Sequence, residues 1–139
     1  MTAKIELKDQ FNKPHLIAFP HEKPCVLAVA DEQGAKQLNS WVEPIHKKFG
    51  EQIEIHGLAD VTGVPRLIQP LIARQFRKQY PQPVLLDWDG KSVAQFGYAG
   101  NEALVLVIDR TGEIRHRVTG MADAKKLEEA FTAIAGTKP

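Results

Sequence analysis

Pro24-Cys25-Val26-Leu27-Ala28-Val29-Ala30-Asp31-Glu32-Gln33-Gly34-Ala35-Lys36 is the stretch that decides how this chain is read. Pro24 to Ala30 is a short apolar run behind a proline, the pattern of a buried strand. Leu38, Trp41, Val42, Ile45 and Phe49 then recur at helical spacing until Gly50, which predicts a helix over 35–49. Asp31 stands where an N-cap is expected, and Glu32 complements the dipole in the first turn. Pro44 lies inside the pattern and is expected to kink it. His46, Lys47 and Lys48 suit the negative end of the dipole and need no ligand to explain them. A buried strand that runs into a helix N-terminus is a common place for chemistry, because unpaired N–H groups and the dipole favour an anion or a thiolate there. This turn carries no nucleophile.

The rest of the chain bounds the reading further. Its 139 residues suit one domain over 1–139, divided into an N-terminal arm or hairpin (1–22) and a core (23–135). A net charge of +1 gives no argument for nucleic acid or an anionic membrane. No apolar run approaches the ~20 residues of a membrane span. The first residues lack the apolar region of a signal peptide, so a cytoplasmic location is expected, or a periplasmic one if a signal has been removed. With a single cysteine, Cys25, the chain can form neither an internal disulfide nor a cysteine-based zinc cluster. His15, His21 and Cys25 are close in sequence but match no zinc-ligand spacing, so no metal and no cofactor are expected.

In order, Ile5–Phe11 and Leu16–Phe19 suggest a hairpin or extended arm at a sheet edge, bracketed by Pro14 and Pro20. Gln52–Ala59 alternates as a second strand. Leu67, Ile68, Leu71, Ile72 and Phe76 mark a second helix interrupted at Pro70, with Arg66, Arg74 and Arg77 on one side and Lys78 nearby, the pattern of a solvated face. Pro83–Leu86 is a short strand that ends in the turn Asp87-Trp88-Asp89-Gly90. Val93 and Phe96 mark one helical turn. Leu104–Ile108, the most apolar run, is expected to be the central strand. Asp109–Gly112 is a hairpin turn into a strand over 113–119, with Ile114, His116 and Val118 on one face. A last helix over 122–135 buries Leu127, Ala130, Phe131 and Ile134.

Parallel strands joined by helices, followed by an antiparallel hairpin, make an α/β fold: a central mixed sheet with helices on both faces. Residues Pro83 to Tyr98 resemble the "P-x-L-x-D-x-x-G…a-x-x-y-G-v" segment of the thioredoxin-like superfamily, in its thiol-disulfide reductase and peroxiredoxin-like (redoxin) branch. Val107-Ile108-Asp109-Arg110-Thr111-Gly112-Glu113-Ile114 resembles that branch's "L-I-D-x-x-G-x-I" hairpin. The resemblance runs in order from about Lys23 to Ile134 and implies a thioredoxin-like fold. It also exposes departures. Aligned without gaps, the C-x-x-C falls on Glu32-Gln33-Gly34-Ala35, Lys36 takes the place of the basic residue that often follows it, and the cis-proline position falls at about Ala103.

The resemblance therefore implies a thioredoxin-like domain without redox-active cysteines, a protein- or peptide-binding or accessory module. Its groove would be lined by Asp31, Glu32, Gln33, Gly34, Ala35, Asn101, Glu102 and Ala103, with Trp88 or Tyr98 nearby. The acidic rim suits a polypeptide or basic partner, with no nucleic acid and no membrane. The alternative is a redoxin-type antioxidant or thiol oxidoreductase that uses Cys25 with an external thiol, although a cysteine at the start of a buried strand usually packs as a small hydrophobe. A third reading, a structural or dimerisation module, rests on exposed aromatics and the basic side of the second helix; the sequence leaves oligomeric state open.

Overall fold

The computed structural model describes residues 4–137. Two antiparallel strands, β1 (Lys4–Lys8) and β2 (Pro14–Ala18), form the N-terminal hairpin. β3 (Cys25–Ala30), α1 (Glu32–Phe49), β4 (Glu54–Asp60), α2 (Gln69–Gln79), β5 (Val84–Asp87), α3 (Lys91–Gln95), β6 (Leu104–Ile108), β7 (Ile114–Thr119) and α4 (Ala124–Ala135) follow. The main sheet has the order β5-β4-β3-β6-β7. β3, β4 and β5 are mutually parallel, while β6 and β7 run antiparallel.

Burial follows from which faces are covered. All six residues of β3 and all five of β6 are buried, because both sheet faces are packed. On one face Leu27, Val29, Leu58, Leu104 and Leu106 meet Ile5, Ile17 and Phe19 of the hairpin region and Val93 and Phe96 around α3. On the other, Val26, Val105 and Val107 meet Trp41, Ile45 and Phe49 of α1 and Ala130 and Ile134 of α4. The Trp41 indole is fully buried and donates to the Gly120 carbonyl at 2.7 Å, so its one polar atom is satisfied. α2 packs on the same face, over Ala59, Val61 and Leu86, through Ile72, Ala73 and Phe76.

Several details differ from the sequence expectation. α1 begins at Glu32 because Asp31 caps it there, and it continues through Pro44 to Phe49. Pro70 does not interrupt α2: it lies in the first turn, where no N–H partner is needed. The centre of the sheet is β3; β6 lies one strand further out and is as buried because α4 and the hairpin cover it. The parallel part has three strands, since β5 adds to β4. The hairpin forms its own sheet, joined edgewise to the main sheet by an Asp9–Leu85 bridge. There Gln10 is buried and stitches the layers: its amide donates to the Tyr80 and Gln82 carbonyls and accepts from Val84 N. Finally, a bulge between β6 and β7 pairs Val107 with His116 but Ile108 with Ile114. Directly opposed residues share a face, so Ile114 leaves the face of His116 and Val118, and its side chain is exposed.

The β6–β7 turn explains how that bulge is held. Asp109 is buried, and its carboxylate accepts from Thr111 N at 2.9 Å, Thr111 Oγ1 at 2.6 Å, Glu113 N at 3.0 Å and Arg115 Nε at 2.6 Å. Gly112 takes φ +98, and a Cβ there would lie 2.8 Å from Phe19 Cβ. Burial alone would push the Asp109 carboxyl up; the bonds from Thr111, Arg115 and Glu113 outweigh it and hold the pKa at about 2, against an ordinary 3.8. The unfolded chain therefore binds the proton first as pH falls. The stability supplied by Asp109 is complete above pH 4 and is lost as pH falls towards 2. Asp109→Asn is expected to lower stability by about 1.5–3 kcal/mol at pH 7, with the gap to the parent closing below pH 4, as read by urea denaturation across pH.

Candidate functional site at the start of α1

β3 delivers Asp31 to the start of α1, and the loop before β6 comes back over it. The Asp31 carboxylate accepts from Gly34 N at 2.8 Å and from Asn101 N at 2.8 Å. The first bond is the N-cap; the second joins segments 70 residues apart. Asn101 can offer its amide because Gly100 and Asn101 both have positive φ, +88 and +68, tolerated by these residue types. Tyr98 closes a second link: its hydroxyl accepts from Asp31 N at 2.8 Å and donates to the Glu102 carbonyl at 2.7 Å. Gln37 Oε1 accepts from Ala103 N at 2.8 Å, one turn further along α1.

Between these bonds lies Gly34. A Cβ there would stand 2.4 Å from the Glu102 carbonyl oxygen and 2.9 Å from Ala103 N. The loop backbone thus lies directly on the first turn of α1, and glycine is required by that approach. Gly34 and Ala103 are buried; Glu32, Gln33, Asn101 and Glu102 are exposed around them, and Ala35 is half-buried.

The electrostatics follow from the same bonds. Burial alone would raise the Asp31 pKa, but the amides of Asn101 and Gly34 and the Tyr98 hydroxyl hold it below the ordinary value. Burial pushes the Tyr98 phenol up to about 12, and the neighbouring Asp31 charge adds to it. So Asp31 is a carboxylate and Tyr98 a phenol at neutral pH. The positive end of α1, which in other settings receives an anion or a thiolate, is occupied by the chain's own carboxylate.

The eight groove residues expected from the sequence thus surround one place, the start of α1 and the loop 101–103. The Ala103 contact is made by Gly34 and Gln37. Tyr98 belongs to this site; Trp88 instead lines a cleft with Leu7, Pro70 and Arg77. Gln37 was not singled out in the sequence, since an amide on a helix carries no signal until the loop is folded against it. Cys25 lies at the other end of β3, fully enclosed, opposite Glu54 in the register. Burial, with the nearby Glu54 charge, pushes its thiol from 9.0 up to about 12. His15 is bonded to Asp9 at 2.7 Å, and His21 lies 3.1 Å from Glu54. Among the described residues no group of His, Cys, Asp and Glu is arranged to hold a metal ion. Likewise, no described helix is long and apolar enough to cross a membrane.

Gly34→Ala is expected to destabilise the chain by about 1–3 kcal/mol, because the atom it meets is backbone. Asp31→Ala is expected to cost about 0.5–2 kcal/mol through loss of the cap. Both are read by chemical denaturation.

Solved structures with this architecture carry redox names. The chain aligns with the pneumococcal exposed lipoprotein thioredoxin Etrx1 of Streptococcus pneumoniae at a TM-score of 0.69 and 15% identity, over 94% of this chain and 98% of that one. A putative thiol:disulfide interchange protein DsbE from Chlorobium tepidum gives 0.68 and 17%, over 98% and 94%. Peroxidoxin BcpB from Mycobacterium tuberculosis gives 0.66 and 19%, over 99% and 96%. The fold is thioredoxin-like, with the N-terminal hairpin. No family profile and no curated protein sequence matches the chain.

Proposed function

We propose that this chain is a thioredoxin-like domain that has no redox chemistry of its own and acts by binding a protein or peptide at the start of α1. The observation that carries the reading is the Asp31 carboxylate on the Gly34 amide, 2.8 Å away, beside the Glu32 and Ala35 positions to which the resemblance assigns the two thiols. A nucleophilic thiolate needs that electropositive position, and Asp31 fills it with a permanent negative charge. The rim of Glu32, Gln33, Asn101 and Glu102 remains exposed, as a contact surface requires.

Cys25 does not offer an alternative centre. Burial beside the Glu54 charge raises its pKa to about 12, so the thiolate is scarce at neutral pH. Nor is there a resolving thiol in the chain, so a dithiol cycle has no second sulfur.

Two measurements test the reading. In a dithiol-driven protein disulfide reduction assay, turnover is expected to equal the no-protein control. Alkylation of native Cys25 near neutral pH is expected to be roughly a hundredfold or more slower than in the unfolded chain. Rapid native alkylation, or a peroxide-dependent sulfenic acid at Cys25, would transfer the case to a single-cysteine redoxin. Binding is read by titrating isotope-labelled protein with an unfolded, thiol-blocked polypeptide, with the amide signals of Glu32, Gln33 and Asn101 expected to move.

A further inference from the structure

Between α1 and α2 a groove of about 670 Å³ runs over the sheet. Its floor is made of the cross-strand row Ala28–Gly57–Val84 and the neighbouring pair Ala30–Ala59. Further across the same face the strands carry Val26, Val105 and Val107, on which α1 and α4 close tightly. Above the groove the small side chains of Ala28, Gly57 and Ala59 leave α1 and α2 apart, with Leu38, Ile72 and Phe76 as walls.

Gly57 is the telling residue. It lies in the middle of β4, paired with Ala28 on one side and Val84 on the other. Glycine in a strand interior weakens the strand, so it normally answers to a turn, a bulge or a close backbone approach. None applies within this chain: its φ is not positive, and a Cβ would meet only Val84 Cγ1 at 3.8 Å and Cγ2 at 3.9 Å, ordinary contact. The fold accepts a side chain here. What a side chain would do is fill the groove.

The chemistry of the walls indicates what fits. Asp31, Glu32 and Asp60 stand at the end where β3 and β4 finish, against one cation, Lys36. Gln33, Gln75 and Gln79 also line it. A primary amide both donates and accepts, which matches the alternating groups of an extended peptide backbone. We propose that the α1–α2 groove takes an extended polypeptide segment, with an apolar side chain seated over Gly57 and a Lys or Arg against Asp60 and Glu32. This rests on the binding reading above and assigns that reading its seat and its sequence preference.

The test uses two capped synthetic pentapeptides, Lys-Leu-Phe-Leu-Lys and its charge-reversed partner Glu-Leu-Phe-Leu-Glu, titrated into isotope-labelled protein. The basic peptide is expected to move the amides of Ala28, Gly57 and Ala59 saturably, and to bind roughly tenfold or more tightly than the acidic one. Gly57→Val is expected to keep or raise the thermal midpoint and to abolish those shifts. Gly57→Ala is the milder variant, expected to weaken binding with the fold intact. Asp60→Asn, which can still accept from Thr62 N, is expected to weaken binding by roughly two- to fivefold and flatten its salt dependence. Unchanged binding in folded Gly57→Val, or equal affinity for the two peptides, would overturn the proposal. Saturable shifts at Asn101 and Glu102 with none at Gly57 would overturn the groove while the binding reading stands. No saturable response to either pentapeptide or to the unfolded polypeptide would overturn both. A markedly lower thermal midpoint in Gly57→Ala would show that the glycine serves the fold.

Discussion

One carboxylate joins the two halves of this molecule. Asp31 ends β3, starts α1 and accepts the amide of Asn101 from the loop before β6. That loop is set down so closely that only a glycine at position 34 leaves room for it. Remove the charge and two amides lose their acceptor at once. The Tyr98 hydroxyl and the Gln37 amide brace the same junction, so the geometry depends on a network and not on a single bond.

The same carboxylate governs what chemistry is available. A helix N-terminus stabilises an anion placed on it. Here Asp31 takes that place and caps α1. The one thiol of the chain lies at the opposite end of β3, in a dry environment beside Glu54, where the charged form is disfavoured twice. The sheet order and layers match proteins named for thiol chemistry, and a likeness of fold does not by itself carry that chemistry.

α2 is the element least committed to the core. None of its residues is buried, and Leu67 and Ile68 just before it and Leu71 within it are exposed. It rests on the small residues of β4 and on Val84 and Leu86 of β5, and Gln10 and Arg77 tie it to the hairpin through backbone carbonyls. Its Ile72 and Phe76 both pack on the sheet and wall the groove towards α1.

The local elements were legible in the chain itself. A proline-led apolar run predicts β3, helical spacing predicts α1, and Asp-x-x-Gly predicts the Asp109 turn, because each depends on near neighbours and on period. The order of those elements sufficed for a mixed α/β sheet. The absence of a thiol at the start of α1 was legible too, as composition needs no coordinates. Other features depend on partners far apart in sequence. That β3 and not β6 is the centre follows from which strands pair, and the face of Ile114 follows from a bulge opposite Ile108. Gln37, Tyr98 and Gly34 gained their roles only when the loop 98–103 came down on α1. Gly57 read as one more strand residue until Val84 proved too distant to need it. Periodicity records which side of an element is apolar; it holds no record of how closely two distant backbones approach, and that distance decided the site.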